Sequence, residues 1–127
     1  MENMSPIELP KNINAKLETG ERLTFATFGD SITWPCFHTD FRQNYITLTL
    51  DALCKVYPKA NVRIVHAGNL GSLGRGLGNG RFDRLVLKEG PDVVFIMFGM
   101  NDCGGGPGGL DEYDRNLTIT INKTKEL

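Results

Sequence analysis

An α/β fold built on a parallel sheet is predicted by three observations. Three short β-branched or aromatic runs, Leu23 to Phe28, Val62 to Val65 and Val93 to Phe98, suit strands. The stretches between them carry apolar residues at helical spacing. Each run leads into a polar, glycine-bearing loop: Gly29-Asp30-Ser31, Gly68-Asn69-Leu70-Gly71 and Gly99-Met100-Asn101-Asp102. Strands that alternate with helices along one chain call for parallel pairing through right-handed crossovers.

Residues 1 to 21 have two prolines and no clear period, and read as an N-terminal arm to a domain spanning 22–127. In the first strand Phe and Leu are too frequent for a half-wet surface, which suits a central strand covered on both faces. A helix is expected from Asp40, with Asp40 and Gln43 as a capping-box pair. Its apolar face would be Phe41, Tyr45, Leu48, Ala52 and Val56, and Pro58 would end it. Tyr45 to Leu50 also alternates like a strand, but the length of the run decides for helix. The second strand runs into a glycine-rich loop that begins at His66. A further helix covers Phe82, Leu85 and Val86, with Gly90 as its left-handed C′ residue and Pro91 beyond. The third strand is wholly apolar and is expected to be buried on both faces. A last helix starts near Leu110 or Asp111 and turns Leu110, Tyr113, Leu117 and Ile121 to one side.

A chain of 127 residues with 40% hydrophobic and 23% charged residues is an ordinary single globular domain. Lys and Arg number 14 against 15 Asp and Glu, which argues against nucleic acid or an anionic membrane as partner. Val93 to Phe98 is the longest apolar run, far short of a membrane span, and the opening residues lack the apolar core of a secretion signal. A cytoplasmic location is the default expectation. The cysteines Cys36, Cys54 and Cys103 are odd in number and form no Cys-x-x-Cys pair, so they read as reduced thiols. With His38 and His66, Cys36 and Cys103 match no common zinc spacing, and neither a metal nor a cofactor is expected.

In a parallel sheet the three loops leave one edge, where ligands bind in open α/β folds. A serine hydroxyl at Ser31, glycine backbone N–H groups and the Asn101 carboxamide can then meet in one cleft. Glycine lets the backbone approach a ligand closely, and asparagine donates hydrogen bonds without carrying charge. Donors aimed at a developing oxyanion are worth roughly 10² to 10³ in rate each, so the set points to acyl transfer from an ester.

With Gly29-Asp30-Ser31-Ile32-Thr33, the loop around Gly68 to Gly71, and Gly99-Met100-Asn101-Asp102 in order after successive strands, the chain resembles the SGNH (GDSL-type) hydrolases from about Arg22 to its end. The resemblance implies a flavodoxin-like three-layer α/β/α sandwich, truncated to about three strands and three helices. It implies Ser31 as nucleophile, oxyanion donation by the N–H groups of Ser31 and Gly71 and the side chain of Asn101, and supporting roles for Asp30, Gly68 and Asp102. His66 stands where the family's second block usually has Asn. The substrates it implies are small-molecule esters, among them acylated carbohydrates and lipids.

The family's catalytic base is the His of an Asp-x-x-His near the C-terminus, and these 127 residues hold no such motif. A serine hydroxyl is a weak nucleophile without an adjacent base. The chain therefore reads as the N-terminal part of such a hydrolase, of low or no activity. His66 and His38 are the available substitute bases, each also readable as an ordinary loop histidine. Two alternatives stay open: a non-catalytic α/β module, and a nucleotide-binding domain using Gly104 to Gly109, which formally satisfies G-x-G-x-x-G. Truncation would leave the third strand as an open edge without proline or lysine, from which self-association is expected.

Overall fold

The computed structural model describes residues 10–34, 40, 42–69 and 80–127. Its elements run α1 (Lys11–Thr19), β1 (Arg22–Gly29), α2 (Tyr45–Val56), β2 (Asn61–Gly68), α3 (Arg81–Leu85), β3 (Val93–Met97) and α4 (Leu110–Lys125). Short 3₁₀ turns at Leu87–Glu89, Asp102–Gly105 and Pro107–Gly109 join the later elements.

The strands form one parallel sheet in the order β2-β1-β3. β1 lies in the middle, and all but its first residue are buried. Alternation along the strands sends side chains to two apolar clusters. Leu23 and Phe25 meet Ile13 and Leu17 of α1 and Ile46 and Leu50 of α2 on one face. Ala26, Phe28 and Ala67 meet Phe82 and Val86 on the other. Helical segments thus cover both sides of the sheet, the three-layer arrangement expected.

The segment expected to be an arm without period contains α1. Its buried residues Ile13 and Leu17 are four apart, one helical turn, and only these two side chains reach the core, too few to mark a period by eye. Gly20 closes the helix at φ 81°, its N–H donating to the Lys16 carbonyl.

Helix α2 begins later than Asp40, and its capping box is Asn44 with Thr47 rather than Asp40 with Gln43. Asp40 has φ 53°, outside the helical region. The buried face of α2 is Ile46 and Leu50, with Tyr45 and Leu53 partly covered, while Leu48, Ala52 and Val56 are exposed. The spacing rule was satisfied by two different faces, and the turn before the helix selected the other one.

β2 extends through His66 to Gly68, so His66 is a strand residue and not the start of a loop. Gly90 takes φ 56° at the C-cap after Leu87–Glu89, as expected. β3 is half-buried, with Met97 exposed at the far end, because β1 is its sole sheet neighbour among the described residues. On α4, Tyr113 and Leu117 are half-buried but Leu110 and Ile121 are exposed, and Thr120 is the buried residue. No helix among the described residues is long and apolar enough to cross a membrane.

Candidate active site

The three strand ends lie level. Gly29 is in register with Gly68 on one side and Met97 on the other. The ladder runs one step further on each side: the Asp30 N–H donates to the Met97 carbonyl at 3.3 Å, and the Asn69 N–H donates to the Gly29 carbonyl at 3.1 Å. The loop carrying Ser31 therefore leaves the centre of the sheet edge, between the exits of β2 and β3.

Immediately after β1 the chain winds into a single tight turn. The Asp30 carbonyl accepts from the N–H groups of Thr33 and Trp34, both at 3.2 Å, while its side-chain Oδ1 accepts from the Ile32 N–H at 2.9 Å. Asp30 thus organises the turn from both its backbone and its side chain, with Ser31 half-buried at the first position. Asp30 is 1% exposed, and its Oδ2 has no hydrogen-bond partner among the described residues.

The turn folds back onto the strand ends, and two glycines make room for it. A β-carbon on Gly29 would collide with the Thr33 side chain and lie 2.6 Å from the Met97 carbonyl oxygen. One on Gly68 would lie 3.0 Å from the Trp34 nitrogen. By lacking a side chain, Gly68 leaves room for the turn.

Helix α2 grips the same turn from outside. The buried Asn44 amide donates from Nδ2 to the Thr33 carbonyl at 2.7 Å, while Oδ1 accepts from the Thr47 N–H to cap the helix. The Tyr45 hydroxyl and Thr33 Oγ1 are hydrogen-bonded at 3.0 Å. Burial raises the Tyr45 pKa above its ordinary value, the Thr33 hydrogen bond opposes this, and the nearby Asp30 charge adds to the rise. From the sequence Thr33 was named only within the first motif block and Tyr45 only on the apolar face of the expected helix, and Asn44 was not singled out. The pair Asn44 and Thr47 was a legible signal, masked by the equally plausible pair Asp40 and Gln43.

On the β3 side, Gly99 has φ 125° and Asn101 forms the N-cap of the turn Asp102–Gly105. Asn101 and Asp102 are half-buried. The Tyr113 hydroxyl donates to the Phe98 carbonyl at 3.2 Å, fastening the strand exit to α4. A cavity of about 380 Å³ opens here, lined by Gly99, Asp102, Cys103, Pro107, Leu110 and Tyr113 among others. The glycine run that formally matches a dinucleotide motif is folded into the two 3₁₀ turns before α4.

The structure thus brings Asp30, Ser31, Gly68, Asn101 and Asp102 to one sheet edge. His66 is exposed and paired in register with Thr27, two residues short of that edge. Gly71, His38 and Cys36 lie outside the described residues.

Comparison with known proteins gives this edge a context. An acetylxylan esterase of Geobacillus stearothermophilus is 32% identical over 88% of this chain and 58% of its own length. The chain therefore spans little more than half of that relative. Structures of two catalytic mutants of an acetylxylan esterase from the same organism, one with an aspartate and one with a histidine replaced by alanine, superpose with TM-scores of 0.67 and 0.68. They are 28% and 27% identical, over 83% of this chain and 55% of theirs. A two-domain esterase active on acetylated mannans, co-crystallised with mannopentaose, matches at a TM-score of 0.68 and 25% identity over 85% of this chain and 29% of its own. The model of the GDSL-like lipase/acylhydrolase family matches residues 27–127, and the chain belongs to that family.

Proposed function

We propose that this chain carries the nucleophile and oxyanion side of a serine ester hydrolase acting on acetyl esters of carbohydrate. Ser31 Oγ would attack the ester carbonyl carbon and give up its proton to a base. The carbonyl oxygen, now negative, would be held by the N–H groups of Ser31 and Gly71 and by Asn101 Nδ2. Collapse of this intermediate expels the sugar oxygen, which takes a proton, and leaves an acyl-serine. Water then attacks the acyl carbon, releasing the acid and returning the proton to Ser31. Asp30 holds the nucleophile turn, and Asp102 is assigned the equivalent role beside Asn101.

The observation that carries this reading is the level exit of the Asp30-Ser31 and Gly99-to-Asn101 loops from adjacent parallel strands. The acetyl-carbohydrate preference is supported by the names of the esterase relatives. His66 is a poor candidate for the base: at about 3.3 Å per strand residue it sits roughly 7 Å back from the edge. The second reading is a non-catalytic carbohydrate- or acyl-binding module. The edge of β3 that has no sheet partner among the described residues would in either case join copies of this chain.

A fluorophosphonate probe, read by mass spectrometry, separates the two readings. Covalent labelling at Ser31 that is absent in Ser31→Ala and slowed about 10²-fold or more in Asn101→Ala supports the hydrolase. A folded chain that never labels at Ser31, even with imidazole added as base, overturns it.

A further inference from the structure

Trp34 is the only tryptophan in the sequence and the one aromatic among the exposed large apolar side chains of the described residues, at 44% exposure. It stands three positions after Ser31 in the same turn. Its backbone is fixed on two sides, by the N–H donated to the Asp30 carbonyl and by its seat over Gly68, where a β-carbon would come within 3.0 Å of its nitrogen. A large ring left in water on a rigid backbone is a binding surface whose ordering cost is already met.

An ester has an acyl half and an alcohol half, and the two flanks of Ser31 differ in the same way. On the β3 flank the cavity beside Asn101 has apolar walls from Pro107, Leu110 and Tyr113. On the β2 flank the exposed described residue at the strand end, Asn69, which follows the Gly68 on which Trp34 is seated, is hydrogen-bonding. An acyl chain gains by enclosure. A pyranose ring, with an apolar C–H face and a rim of hydroxyls, gains from a flat exposed indole edged by polar groups.

We infer that Trp34 is the platform on which a sugar ring of the substrate's alcohol half stacks, with the acyl group directed to the β3 flank. The inference rests on the hydrolase reading for the orientation of the ester but not for the sugar contact itself.

Because Trp34 is the sole tryptophan, its fluorescence reports this contact alone. In Ser31→Ala, acetylated xylo-oligosaccharide should give a saturable quench or blue shift with a midpoint below about 10 mM, and hexanoate should not. By calorimetry, Trp34→Ala should weaken oligosaccharide binding about tenfold, and Trp34→Phe should restore most of it, with circular dichroism confirming that both variants are folded. A response to hexanoate alone, no saturable response to the oligosaccharide, or unchanged binding in Trp34→Ala overturns the inference. Labelling of Ser31 without a saccharide response removes the platform and leaves the hydrolase. A saccharide response without labelling removes the hydrolase and leaves the platform.

Discussion

Asn44 and Thr33 form the joint between the Ser31 turn and the helix that follows it: one buried amide donates to the Thr33 carbonyl and accepts from the Thr47 N–H. Replacing Asn44 by alanine removes a helix cap and strands a buried carbonyl. The expected loss is about 2–4 kcal/mol, the sum of a cap and an unmade buried hydrogen bond. Asn44→Ser keeps the cap acceptor but loses the amide that donates to Thr33, and should lose only about 1–3 kcal/mol. Urea unfolding of the two variants measures the difference.

Gly29→Ala should cost about 2–4 kcal/mol, since the new methyl group meets Thr33 and the Met97 carbonyl. Adding Thr33→Ala should recover only part of the loss, because the carbonyl contact remains. A double-mutant cycle in thermal or urea unfolding reads the coupling.

Asp92 ties three parts of the chain together: Oδ1 accepts from Lys16 Nζ at 2.7 Å and Oδ2 from the Thr24 N–H at 2.8 Å. Burial pushes the Asp92 pKa up, but these two hydrogen bonds and the Lys16 charge outweigh it, and the net shift is downward. Lys16 is shifted up, chiefly by its hydrogen bond to Asp92. A carboxyl depressed on folding stabilises above its unfolded pKa, about 3.9, and loses that contribution as pH falls through the folded value. The raised lysine acts at the other end, stabilising fully below about 10.4 and losing its effect as pH rises through its folded value. The urea midpoint of the native chain should therefore drop between pH 5 and pH 3 by more than that of Asp92→Asn.

Imidazole in solution should speed fluorophosphonate labelling of Ser31, by about tenfold or more if it stands in for a missing general base. His66→Ala should label at the same rate as the native chain. Loss of labelling in that variant would instead assign the base to His66.

The side of β3 that has no sheet partner among the described residues should make this chain associate as concentration rises, detected by sedimentation velocity. Met97→Lys, at an exposed position of the strand, should reduce the association, as lysines do on natural sheet edges. A dilution-independent monomer in the native chain would count against the β3 edge as a contact.

The sequence made the sheet legible because β1 and β3 are short, apolar and bounded by glycine, and only parallel pairing suits strands separated by helices. The location of Ser31 and Asn101 followed from the same logic, since strand ends carry loops and those loops carried distinctive residues. Less was legible in the helices. Residues 11–19 bury only Ile13 and Leu17, and α2 offered two capping boxes and two apolar faces. Choosing between them required the partner of Asn44, which is a carbonyl eleven residues away and has no residue type to read.

The Lys16, Thr24 and Asp92 junction lies at the opposite end of the sheet from Ser31, where β1 and β3 begin. All the chemistry proposed here hangs from the far rim, so the near rim is free to serve as a handle. Exposed Lys59 and Asn61, beside the start of β2, offer points for tethering the chain to a bead or a fusion partner with its working mouth turned to the solution.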